Sequence, residues 1–274
     1  MTLNLNTSIH HGSLTNAPLN THPMILMMLG SAVAYYSRLD ITFDRDRLPA
    51  ISAIVERAMR TRKGDKYVAG MWEKSLLHDA AWYRQAHNEG ARRPATPVPT
   101  WSWASIRGAV QFYDVCVLPI AEQLNIQYTN VGPAHVGEVK DACVMLRGPI
   151  LTASLTDTQW RDEGRALTNE ILYHIAPQIP QGFHHLKPML WRSEPDYDLS
   201  TGERPLDLKI KYPVIMLWNN NREQRWFGLV LRRVSKDSFE RLGICHLSYF
   251  DTPGKDKGRG DMINSLPIGN VTII

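Results

Sequence analysis

Apolar positions along the chain change their period about a third of the way through. From Asp46 onward Leu48, Ile51, Ile54, Val55, Ala58 and Met59 recur at spacings of three and four, which places them on one helical face. A second stripe, Trp72, Leu76, Ala80 and Tyr83 widened by Leu77 and Ala81, predicts a helix from Trp72 to about Gln85, with His78 and Asp79 to one side. Ahead of both, the apolar run Met24–Ala34 predicts a buried helix that begins at Pro23, where proline sacrifices no backbone hydrogen bond, and ends near Ser37.

Residues 86–100 hold Pro94, Pro97 and Pro99 and no period, so they read as a connector. Beyond it come short β-prone segments: Trp101–Ile106, Ala109–Val117, Ile126–Thr129, Cys143–Leu151, Ile210–Leu217, Trp226–Val234, Gly243–Phe250 and Val271–Ile274. Leu155–Ala176 is ambiguous and reads better as helix, while 177–205, with five prolines, reads as a long loop. The expected fold is α+β, a helical layer (23–86) packed on a mostly antiparallel β-barrel or sandwich (100–274), forming one domain over 23–274. Residues 1–22, polar and aperiodic, are expected to be a flexible arm.

Length and charge narrow the classes. An apolar run of about a dozen residues falls short of the ~20 that cross a bilayer. The first 37 residues carry no Lys or Arg, which argues against a secretory signal. Cys116, Cys143 and Cys245 are too few and too scattered for a disulfide framework or a metal site, so a cytoplasmic setting without metal is expected. Net charge is +4, and the basic residues cluster only at Arg60–Lys63 and Lys255–Arg259, too thinly for a nucleic-acid surface.

An ordered set of landmarks runs through the chain: Tyr36-Ser37, Leu48-Pro49-Ala50-Ile51, Tyr67 to Trp72, Trp82, the sequence PTWSWAS over Pro99–Ser105, Gly137-Glu138-Val139, Leu146-Arg147-Gly148-Pro149, Gly228 to Leu231, Arg241-Leu242-Gly243 and Val271 to Ile274. In this order and spacing they resemble the C-terminal region of fungal heterokaryon-incompatibility (HET) proteins, from residue 31 to the end. Departures are Thr100 where serine is usual, Ala53 where glycine is common, and Ala80-Ala81 where bulkier leucines precede the tryptophan, which would leave room beside Trp82. The resemblance implies a fold and no catalytic residues. In the family an effector HET domain lies upstream, and this chain reads as a free-standing copy without it.

No nucleophile elbow, phosphate loop, dinucleotide glycine pattern or paired-cysteine motif is present. Gly254–Gly260 reads as a loop with no helix after it, and His184-His185 on an extended chain would point opposite ways. His135 with Glu138, and His246, are further titratable residues that read as structural. Eight tryptophans and ten methionines either fill a core or line an apolar cavity. On a strand, Trp101 and Trp103 would share a face, and Trp72 and Trp82 packed beside them would make an aromatic-walled pocket, with Asp114 nearby. Arg107, Tyr83 or His78 would then polarise a bound carbonyl.

Two functions follow. The favoured one is a cofactor-independent enzyme of fungal secondary metabolism that takes an apolar small molecule through a pericyclic cyclisation (Diels–Alder or hetero-Diels–Alder), an isomerisation or a dehydration. The alternative is a non-catalytic recognition module in incompatibility or stress signalling, and a homo-oligomer is left open.

Overall fold

The computed structural model describes residues 23–39, 41–85, 93, 98–113, 118–158, 172–178, 190–197, 199, 205–220, 225–248 and 259–274. The expected arm over 1–22 and the His184-His185 pair lie outside these residues, as does Asp114.

Helix α1 spans Pro23–Tyr36, where the apolar run placed it, and α2 spans Ser52–Met59 after a 3-10 turn at Pro49–Ile51, where the apolar period placed it. A single helix over 72–85 does not form. Met71–Trp72 instead closes a two-residue hairpin (β2) with Tyr67–Val68 (β1), a short α3 covers Leu76–Asp79, and Trp82–Arg84 is a strand (β3) paired to Val110–Phe112 (β4). The cause is local. Asp79 accepts the Trp72 backbone N–H at 2.8 Å and the Ser75 hydroxyl at 3.3 Å, which ties a tight loop where an extended helix would need those donors turned inward.

The hairpin turn Ala69-Gly70 has both residues at positive φ, +50° and +88°, as a two-residue turn matching strand twist requires. An alanine there is strained by about 1 kcal/mol. It is held because its N–H donates to the Gly137 carbonyl at 2.7 Å and its carbonyl accepts the Ser102 hydroxyl at 2.5 Å. Residues 101–106 accordingly form no strand. Ser102 caps a 3-10 turn, Trp103–Ser105, by accepting the Ala104 N–H at 3.0 Å, so Trp101 and Trp103 are placed by a turn and not by strand alternation.

The remaining strands are Leu118–Pro119 (β5), Glu122–Asn130 (β6), Val139–Thr158 (β7), Leu172–Pro177 (β8), Leu190–Pro195 (β9), Lys211–Asn220 (β10), Arg225–Arg233 (β11), Ser238–Ser248 (β12) and Ile268–Ile273 (β13). They join one sheet in which every pairing is antiparallel except β12–β13. Pairings run β7–β8–β9–β12–β11–β10, and Lys211–Ile215 of β10 pair back to Ile150–Ser154 of β7. Of the segment expected as helix over Leu155–Ala176, 155–158 close β7 and 172–176 belong to β8, while 159–171 lie outside the described residues; the loop over 177–205 contains β9. A helix, α4 at Arg259–Ser265, begins where none was expected.

Strand β10 is buried on both faces, which explains its unbroken apolar run. Val214 and Met216 join one core with Leu151, Ala153, Leu155, Leu247 and Met262, Ile263 and Leu266 at α4. Ile215, Leu217 and Trp218 join a second core with the tryptophans and aliphatics of the 33–110 segment. The described residues are thus a sheet-rich mixture of helix and strand whose N-terminal part packs on one face of the sheet.

Candidate functional site

Trp72, Trp82, Trp101 and Trp103 do come together, in one core, each 0–1% exposed. Trp82 Nε1 donates to the Trp101 carbonyl at 2.9 Å and Trp103 Nε1 to the Gly70 carbonyl at 2.8 Å. Three of the four rings have one of the chain's own cations over a face: Arg62 lies 4.6 Å from the Trp72 centroid, Arg47 5.3 Å from Trp103 and Arg241 3.5 Å from Trp82. The Arg241 guanidinium over Trp82 also reaches the Ala80 carbonyl, at 2.9 Å. None of the four lines either of the two cavities described below.

Arg241, 0% exposed, is the centre of a buried ion cluster. It donates to both Asp196 carboxylate oxygens at 3.1 and 3.2 Å, to the Ala80 carbonyl at 2.9 Å and to the Trp82 carbonyl at 2.6 Å. Arg93 approaches Asp196 at 4.0 Å and donates to the Arg241 carbonyl at 2.6 Å and the Ser105 hydroxyl at 2.6 Å. Burial lowers the Arg241 pKa to about 10 against the opposing pull of Asp196, and it remains a cation at neutral pH. This cluster fastens the 80–105 segment to β12 and the end of β9.

Beside it lies a cluster of converging half-buried proton donors and acceptors. Pairing of β3 with β4 sets Tyr83 opposite Gln111, and the Tyr83 hydroxyl donates to the Gln111 side-chain oxygen at 2.7 Å. Tyr113 extends that ladder through its N–H to the Ala81 carbonyl at 3.1 Å, which brings its ring to 4.4 Å from that of Tyr83. Its hydroxyl donates to Glu194 on β9 at 2.7 Å. Phe227 on β11 and His246 on β12 are direct cross-strand partners, with rings 4.9 and 6.3 Å from Tyr113. Burial, then the charge of Glu194, raises the Tyr83 pKa, so this phenol stays protonated and acts as a donor.

Of the three proposed donors, only Tyr83 is in this cluster. Arg107 holds the preceding loop, donating to the Ile41 carbonyl at 3.1 Å and lying 3.7 Å from Asp44. His78 is half-buried in α3 next to Asp79. Gln111, Tyr113, Glu194 and Phe227 were not picked out by the sequence, and His246 was read as structural. Their meeting depends on a β3–β4 pairing across some 25 intervening residues, which no local pattern announces.

Two adjoining cavities share Val98, Pro99, Val139 and Lys140. The larger, about 600 Å³, also touches Thr100, Asp141, Ala142, Cys143, Val234, Glu240 and Ile274. The smaller, about 180 Å³, reaches Leu48 and Ala69. Among the described residues no group of His, Cys, Asp or Glu side chains is arranged to hold a metal, and no helix is long and apolar enough to cross a membrane. Comparison of the chain with protein-family models, curated proteins and solved structures finds no match.

Proposed function

We propose that this chain is a cofactor-independent enzyme that moves protons on a mainly apolar small molecule, an isomerase or dehydratase, working at Tyr83, Tyr113, Glu194 and His246. The observation that carries the reading is the Tyr113–Glu194 hydrogen bond of 2.7 Å, with a second phenol stacked at 4.4 Å and an imidazole ring at 6.3 Å, all half-buried. A carboxylate and an imidazole that can accept a proton, facing phenols that can donate one, form the pairing that general acid–base catalysis uses, typically for 10²–10⁴-fold. In such a step Glu194 or His246 takes a proton from carbon while Tyr83 donates a hydrogen bond to the carbonyl oxygen where negative charge gathers. For dehydration the same acid delivers a proton to the departing hydroxyl.

The polar character of the cluster favours these reactions over a pericyclic one, which needs mainly apolar walls, and the four tryptophans act as scaffold. The reading keeps the chain as a relative of the HET C-terminal region. The landmarks stand at structural joints: Gly70 with Trp103, Ser102 with Ala69, Arg241 with Trp82. The sheet whose pairings return to β7 is read as a closed barrel with α4 across its interior core.

The test compares small-molecule extracts of the source strain and a deletion strain by LC–MS, then adds purified protein to whatever accumulates. Loss of one product, build-up of a precursor of equal mass or one water heavier, and conversion by the protein alone are expected. Identical profiles with altered strain-fusion behaviour would instead establish the recognition module.

A further inference from the structure

The two adjoining cavities form a trough along an unpaired strand edge, and we infer that it binds an extended peptide segment of a partner protein, with one apolar anchor side chain and flanking Lys or Arg, by adding a strand to β7. This site is separate from the proton-transfer cluster. On β7, residues 144–147 pair with β6 and β13 at once, so these two strands occupy opposite edges. The β6 edge is paired from Val139 on, through Asn130↔Val139, Thr129↔Lys140 and Gln127↔Cys143. The β13 edge is paired only from Val144, opposite Ile273. Over Val139–Cys143 no strand among the described residues covers that second edge, and these five residues form one wall of the larger cavity, with Val98–Thr100, Val234, Glu240 and Ile274 around the rest.

An extended five-residue segment spans about 16 Å, and the bulge at Asp141 makes the edge it meets somewhat shorter. Main-chain hydrogen bonds to an open edge supply affinity in this mode and pockets for alternate side chains supply choice. The 180 Å³ pocket floored by Leu48, Ala69 and Val98 suits one Leu- or Ile-sized anchor. A bulge shapes the wall: Asp141 sits at φ +52°, where β6 and β7 shift register between Gln127 and Thr129.

Charge selects the flanks. Asp44, Glu240 and Arg45 are already engaged, by Arg107 at 3.7 Å, Arg232 at 2.5 Å and Asp46 at 3.9 Å. Glu138, Asp141 and Lys140 make no ion pair among the described residues, so the rim offers one net negative charge to a ligand. A basic peptide complements it.

The test is fluorescence anisotropy with a labelled, end-capped peptide of sequence Lys-Val-Leu-Val-Lys. Saturable binding is expected with Kd of order 10–100 µM, about the strength a short segment attains. Lys-Pro-Leu-Pro-Lys, which lacks two ladder donors, should bind at least tenfold more weakly, as should the Glu-flanked analogue. In the protein, Ala142→Arg should abolish binding, and Glu138→Gln with Asp141→Asn, which leaves the core untouched, should weaken it several-fold. Equal binding of the proline peptide, full binding by a folded Ala142→Arg protein, or no saturation below about 1 mM would each overturn the inference. So would occupation of the trough by the apolar dye ANS while the peptide fails to displace it.

Discussion

Replacing Arg241 by methionine removes the cation that joins three parts of the chain. Four donations vanish together: two to Asp196, one to Ala80 and one to Trp82, with the cation over the Trp82 ring at 3.5 Å. Breaking a buried pair by deleting one partner costs about 3–5 kcal/mol, because the remaining charge is stranded. Asp196, 0% exposed, would keep Arg93 at 4.0 Å and the weaker influence of the Arg84 charge. Each buried carbonyl left without its donor adds about 1–3 kcal/mol, partly overlapping with the first figure. A loss of about 5 kcal/mol is therefore expected, a large part of the 5–15 kcal/mol typical of a domain. The assay is urea unfolding followed by tryptophan fluorescence. Adding Asp196→Leu to Arg241→Met removes the stranded carboxylate and should recover about 2 kcal/mol, since apolar replacements of buried ion pairs are often well tolerated. A single-variant loss below about 1 kcal/mol, or a double variant no more stable than the single losses sum to, would refute the claim that these charges work as a unit.

Three further outcomes are expected. Gly70→Ala should cost about 3–5 kcal/mol in the same assay, because a Cβ at φ +88° would stand 2.6 Å from Trp103 Nε1 and displace its bond to the Gly70 carbonyl. Asp79, whose pKa burial raises to about 7, binds its proton more tightly folded than unfolded, so its contribution is full below about pH 4 and is lost as pH rises through 7. Between pH 5.5 and 8 the unfolding free energy should fall by about 2 kcal/mol in the wild type relative to Asp79→Asn, and parallel pH curves would contradict this. Tyr113→Phe should leave stability within about 1.5 kcal/mol, the worth of one part-buried hydrogen bond, while lowering turnover at least tenfold.

Long, strongly periodic elements were legible from the residues: α1, α2 and the main strands of the sheet lie near their expected positions. Failures cluster between Trp72 and Ile106. There the apolar spacing of a helix is produced by side chains converging on one core from a hairpin, a short helix and a strand, held by Asp79 and Ser102 through side-chain bonds to the backbone. Tryptophan content pointed correctly to an aromatic cluster, but whether such a cluster is wall or filling depends on what covers its faces. Arg47, Arg62 and Arg241 cover them from sequence distances of 56, 10 and 159 residues. Glu194 and His246 carried no local signal, since their meeting with Tyr113 is made by sheet register alone.

The central claim is that Glu194 and its phenol partners transfer protons on a bound small molecule. It is tested most directly by following conversion of the accumulated precursor by wild-type protein and by Glu194→Gln, side by side in D₂O with NMR detection of the product. Glutamine still accepts the Tyr113 bond and keeps the fold but takes up no proton, so the account predicts a fall of at least 100-fold in rate and deuterium at one carbon of the wild-type isomerisation product. Equal rates for the two proteins at the same folded concentration would contradict it.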